Sequence, residues 1–216
     1  MRDAYHEELD AIGEALVDLC NLVSSAMGRA TTALLDADLQ LAEGVITGDT
    51  VIDDRYHEIE ERAFELLARQ QPVATDLRIL VTSLRMVADI ERAGDLALHV
   101  AKVARRRYPL SAIPTELRST ILEMGQIAER IMVKAGDVIA RRDVGLAAEL
   151  ETDDDRMDDL HRQLFGVILG DDWEGGVEAA IDITLVGRYY ERFADHAVSV
   201  ARRVVYLVTG ERVHAG

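Results

Sequence analysis

Covalent cross-links and soft-metal chemistry have almost no material in this chain: of 216 residues, one is cysteine, three are proline and 5% are aromatic. A single Cys20 excludes a disulfide framework and a thiolate metal site. Its neighbours at helical spacing, Leu16, Leu19, Val23 and Met27, predict a buried core thiol. Positive charge is also scarce, with 24 Lys and Arg against 40 Asp and Glu and a net charge of −16. Nucleic acid is thereby excluded as the main partner, because its phosphates would be repelled. No run approaches the roughly 20 apolar residues of a membrane span. Met1–Asp10, with Asp3, Glu7, Glu8 and Asp10, has no signal-peptide character. The expectation is a soluble, cytoplasmic protein.

The chain is rich in Ala, Leu, Val, Glu and Arg, which with so little proline indicates an all-α fold. Periodicity predicts helices over Asp3–Gly28, Thr31–Gln70, Val73–Arg107, Pro114–Arg141, Gly145–Leu169 and Trp173–Thr209. Gly44 and Gly48 predict a bend in the second. Pro109 and Pro114 mark a boundary, giving a first unit over 1–108 and a second over 109–216. The units are repeats: Glu91-Arg92-Ala93-Gly94-Asp95 returns 100 residues later as Glu191-Arg192-Phe193-Ala194-Asp195. Asp49 and Asp53 are matched in the same way by Asp154 and Asp158. Two tandem antiparallel three-helix bundles, six helices in all, satisfy this pattern.

The repeated acids interrupt apolar seams. Leu77, Leu84, Glu91, Leu98 and Val177, Thr184, Glu191, Val198 form heptad rows in which a glutamate replaces an apolar residue. Asp49 and Asp154 intrude likewise into Ala42, Asp49, Tyr56, Ala63 and Ala147, Asp154, His161, Ile168. Residues four apart share a helix face, so Asp49/Asp53, Glu91/Asp95, Asp154/Asp158 and Glu191/Asp195 are four same-face pairs. Antiparallel packing would bring two pairs together in each half. Converging carboxylates repel, and a cation relieves the repulsion; oxygen-only ligation favours Mg²⁺, Ca²⁺, Mn²⁺ or iron. Neutralisation by Arg92 and Arg192 on a solvated face is the plainer alternative. His57 and His99 follow Asp53 and Asp95 by four residues, whereas Arg162 and Ser199 hold the equivalent places. They are possible accessory ligands, which would make the first centre the more tolerant of zinc or iron. Arg105-Arg106-Arg107 is read either as a complement to a helix C-terminus or as a contact for an acidic partner or lipid.

The run Arg69-Gln70-Gln71-Pro72-Val73-Ala74-Thr75-Asp76-Leu77-Arg78, with Asp89-Ile90-Glu91-Arg92-Ala93-Gly94-Asp95, closely resembles the PhoU family of phosphate-uptake regulators. Glu191 to His196 and Tyr206 to Glu211 resemble its second half. The resemblance implies tandem three-helix bundles with two metal clusters, one on Asp49, Asp53, Glu91 and Asp95, the other on Asp154, Asp158, Glu191 and Asp195. The metal it implies is divalent or multinuclear: iron, zinc, Mg or Mn. It implies a non-enzymatic negative regulator joining the ATPase of a phosphate ABC transporter to a sensor histidine kinase. Peripheral membrane association through those partners only, and a homodimer, complete the expectation. Leu96 stands where the family often has histidine, and Phe193 replaces a smaller aliphatic residue. A carboxylate-bridged di-metal enzyme is the competing class, but the motif helices lack Glu-x-x-His pairs; Asp158 and His161 approach that spacing with an aspartate. A purely structural scaffold leaves the acids in the seams unexplained. No Walker motif or Ser-His-Asp order occurs.

Overall fold

The structure, a computed structural model, describes residues 2–70 and 72–211. Its elements are α1 (Arg2–Asp36), α2 (Leu39–Gln70), α3 (Ala74–Arg107), α4 (Arg118–Arg141), α5 (Val144–Ile168) and α6 (Gly176–Thr209), with a 3-10 turn at Thr115–Leu117 before α4. This is the all-α, six-helix architecture expected from periodicity, with three helices in each repeat. Among the described residues, no helix is long and apolar enough to cross a membrane.

The helix boundaries differ from expectation at one instructive place. Gly28 does not end α1, which runs on to Asp36 and stops where Ala37 turns to φ 51°. Its lack of a side chain serves packing instead: a β-carbon there would lie 2.4 Å from Glu129 Oε2 on α4. Asp38 then accepts from the Leu41 amide at 3.0 Å and starts α2. Gly44 and Gly48 interrupt nothing, for α2 is helical throughout. Asp143 caps α5 by accepting from the Gly145 and Leu146 amides, and Gly210 ends α6 at φ 77°.

The two repeats share one hydrophobic core. Helix α1 packs on α4 and α3 on α6, in addition to the packing within each bundle. Gly125 and Gly136 on α4 sit against Thr31 and Cys20 on α1, so the two backbones approach closely. Cys20 is fully buried, and burial pushes its thiol up to about 12. Thr31 donates to Met27 O at 2.8 Å and shares a 2.7 Å hydrogen bond with the buried Tyr190 hydroxyl of α6, which locks its rotamer. A β-carbon at Gly125 would lie 2.5 Å from Thr31 Cγ2. Gly125→Ala is therefore expected to lose about 2 kcal/mol net, overpacking outweighing the gain in helix propensity. Gly48→Ala, with nothing near its β-carbon, is expected to gain up to about 1 kcal/mol. Urea melts of the two variants check both signs.

Buried acids pin the α3–α6 contact at two places. Asp89 accepts from Arg203 Nε at 2.7 Å and Ser199 Oγ at 3.1 Å, with His196 Nδ1 at 3.4 Å. At the second, Asp182 is gripped by Arg106 and Arg107. Arg107 also reaches Glu178 at 2.7 Å, and Arg105 pairs with Glu43 at 3.6 Å. The arginine triplet is thus engaged with this chain's own carboxylates, so no outside acid is needed to explain it.

Candidate metal centres

Helices α2 and α3 carry the first acidic set, and α5 and α6 the second. Close helix approach brings the sets together. A β-carbon on fully buried Gly94 would lie 3.1 Å from Ile52 Cγ2, so α3 lies tight against α2. In the second half Gly187 does this, against Leu164 and His161. The core seam itself is Leu80, Val87, Gly94 and Ala101, all buried; Leu77 is exposed and Glu91 half-buried. The acids therefore line the rim of the core rather than replace its centre. Asp49, Glu91, Asp95, Asp154 and Glu191 are half-buried, while Asp53, Asp158 and Asp195 are exposed. A rim position keeps one side of each carboxylate near water and lowers the cost of its charge.

Within each set the acids act on one another across the helix pair. Burial first, then Asp53 beside it and Asp95 on α3, raise the Asp49 carboxyl. Glu91 is raised by burial, then by Asp95, Asp53 and Asp49, with Arg92 opposing. The second set is stronger: burial, Asp195 and Asp158 push Asp154 up to about 7. Burial and Asp195 raise Glu191, and burial and Asp158 raise Asp195, both tempered by Arg188. Among the described residues, Glu191 alone of the eight holds an ion pair, with Arg188. Arg92 and Arg192 are exposed, so the adjacent arginines do not neutralise the acids by direct pairing.

As the side chains stand, no three His, Cys, Asp or Glu groups among the described residues are gathered tightly enough to hold an ion. Two features nonetheless suit a hard cation. The donors are oxygens whose charges raise one another's carboxyls, and Asp154 Oδ1 is buried without a hydrogen-bond partner.

The histidines divide. His57 is exposed, its ring 5.0 Å from Tyr56 and its Nδ1 4.0 Å from Glu60, on the outer side of α2. His99 Nδ1 lies 2.6 Å from Asp95 O, an acceptor-only group, so Nδ1 donates this hydrogen bond. Its ring lies 5.3 Å from Tyr189 of α6, and a protonated ring would oppose the rise at Asp49. His161 was not among the expected site residues. Its Nε2 is buried without a partner, it packs on Gly187, and burial, then Arg188, lower its affinity for a proton against the opposing charge of Asp158. Its place on the Asp154 heptad row was the available signal.

Comparison with known proteins gives one consistent result. The model of the PhoU domain family matches residues 16–104 and again 121–204. The chain is 52% identical over 210 residues to a Mycobacterium tuberculosis protein named phosphate-specific transport system accessory protein PhoU homolog 2, covering 97% of this chain and 99% of that one. The crystal structure of PhoU from Pseudomonas aeruginosa is similar at TM-score 0.84 and 30% identity, over 96% of this chain and all of that one (100%). That of the phosphate transport system regulatory protein PhoU from Streptococcus pneumoniae is similar in fold at TM-score 0.87 and 24% identity, over 98% and 100% of the two chains.

Proposed function

Because the chain belongs to the PhoU family of phosphate transport accessory proteins, we propose that it is a metal-binding regulator of phosphate uptake that carries one cation centre in each half. In this reading the first centre is held by Asp49, Asp53, Glu91 and Asp95, with His99 as an accessory group. The second is held by Asp154, Asp158, Glu191 and Asp195. Iron, zinc, Mg²⁺ and Mn²⁺ are all compatible with the donors. The observation that carries the reading is the repeated set of facing carboxylates that raise one another across a helix pair. A bound divalent cation would supply positive charge and link the two helices of its half. The residues themselves set the geometry: Gly94 and Gly187 hold the helices close, and the core beneath excludes water from one side. The protein would act in the cytoplasm as a non-enzymatic adaptor, as a dimer, between the transporter ATPase and a sensor kinase, restraining uptake and the starvation response when phosphate is plentiful.

Elemental analysis of protein purified without chelator tests the centres. Glu91→Ala with Asp95→Ala should remove the first half's metal and leave the second's, and Glu191→Ala with Asp195→Ala the reverse. Loss of all metal from either double variant would show that the sites are not separate. The regulatory role is tested by deleting every PhoU-family gene from the host. The phosphate-starvation programme should then stay on in phosphate-rich medium and be switched off by returning this chain. Normal repression in the deletion strain would dismiss the role.

A further inference from the structure

The tip of the second bundle carries an apolar groove that neither the core nor the acidic centres use. It is an open hollow of about 500 Å³ between the end of α5 and the start of α6, lined by Leu169, Trp173, Val177, Ile181 and Leu185 among others. Val177, Ile181 and Leu185 fall four residues apart, so they form one stripe along α6, and all three are exposed, Val177 by 78% and Leu169 beside it by 80%. Single exposed aliphatics are ordinary, but a contiguous stripe opening into a groove marks a contact surface.

Charge identifies the occupant. No lysine or arginine occurs between Arg162 and Arg188, whereas Asp171, Asp172, Glu174, Glu178 and Asp182 do. Arg107 engages Glu178 and Asp182. Asp171, Asp172 and Glu174, on the turn beside the groove, are exposed and hold no ion pair among the described residues. We propose that this groove docks a cationic amphipathic helix of a partner protein, its apolar face on Val177, Ile181 and Leu169 and its lysines or arginines on the acidic turn. A second copy of this chain is disfavoured, because it would bring one acidic turn against another on molecules of net charge −16. An anionic lipid surface is repelled for the same reason. The first bundle supplies an internal comparison. Val73, Leu77 and Val81 make a similar stripe at the start of α3, 104 residues earlier, and are also exposed, but Arg69 and Arg78 lie close to them in sequence, and the Arg78 guanidinium sits 5.8 Å above the Tyr206 ring. That tip has the apolar stripe without the one-signed rim.

Trp173 is the only tryptophan in the chain and lines the groove, so its emission reports on this site alone. The probe is a synthetic helix of about 18 residues with leucine on one face and lysine on the other, at physiological salt. It should shift Trp173 emission saturably, and a leucine–glutamate twin should not. Val177→Lys with Ile181→Lys should weaken binding at least about tenfold, whereas Leu77→Lys at the other tip should change it by less than about twofold. All these positions are exposed, and circular dichroism confirms that the helices persist. Equal affinity for both variants would reduce the effect to bulk charge, and equal binding of the glutamate twin would reduce it to hydrophobicity. An unmoved Trp173 would place the peptide elsewhere. A dimer abolished by the Val177/Ile181 variant, or a Trp173 shift with anionic vesicles, would assign the groove to a second copy or to lipid. Each of these results overturns the proposal.

Discussion

Asp89→Ala is expected to destabilise the protein by about 3 kcal/mol, since it strands cationic and polar partners in a nearly closed interface. Asp89 is only 5% exposed and is the common acceptor for His196, Ser199 and Arg203, all on α6. Burial alone would raise its carboxyl, but the hydrogen bonds from His196, Arg203 and Ser199 outweigh burial and leave it lowered. A folded value below the unfolded one means that the carboxylate contributes stability above about pH 4. That contribution is lost as pH falls through the lowered folded value. Denaturant midpoints of wild type and Asp89→Asn should therefore differ at pH 7 and converge in acid. The variant tests more than one contact, because α3 and α6 join the two repeats. A loss below about 0.5 kcal/mol would show that Arg203 and His196 are rehydrated without cost.

Much of this architecture could be read from the sequence because it is written in local periods. The spacing of Leu80, Val87, Gly94 and Ala101 marks a buried seam without knowledge of its partner. The repeat of Glu91 and Asp95 at Glu191 and Asp195 ties the two halves into one pattern. What failed was whatever depends on a distant residue. Gly28 looks like a helix stop until Glu129, 101 residues later, is found against it. Asp89 and Asp182 carried no signal, because the arginines that make them tolerable are contributed by the other repeat. Glu91 and Asp154 were read as core positions when they lie at the rim, an ambiguity built into heptads: a helix packed on two neighbours has a wide buried arc, and its edge shares the phase of its centre. His57 and His99 have identical spacing from their aspartates, yet only His99 faces another helix. Spacing fixes a face of one helix and leaves open what stands opposite.

Asp154 is where the absence and presence of a cation should give opposite mutational signs. Its carboxyl is held near 7, chiefly by burial and then by Asp195 and Asp158, against about 3.9 in an unfolded chain. The folded state therefore retains a proton that the unfolded state releases, and stability falls as pH rises between about 4 and 7. In chelator at pH 8, Asp154→Asn removes a charge that the fold disfavours. After discounting for its half-exposed position, the variant should be about 1–2 kcal/mol more stable than wild type. With a divalent cation at about 100 times its dissociation constant, wild type gains about 2.7 kcal/mol, and the amide, a weaker ligand, forgoes most of it. The stability order of the two proteins should thus reverse between chelator and cation. Differential scanning calorimetry in both buffers reads this directly. An unchanged order would mean that the buried, unpartnered Asp154 Oδ1 meets something other than metal. A reversal at Asp154 and none at the exposed Asp159, one residue beyond the motif, would place the cation on the motif face of α5.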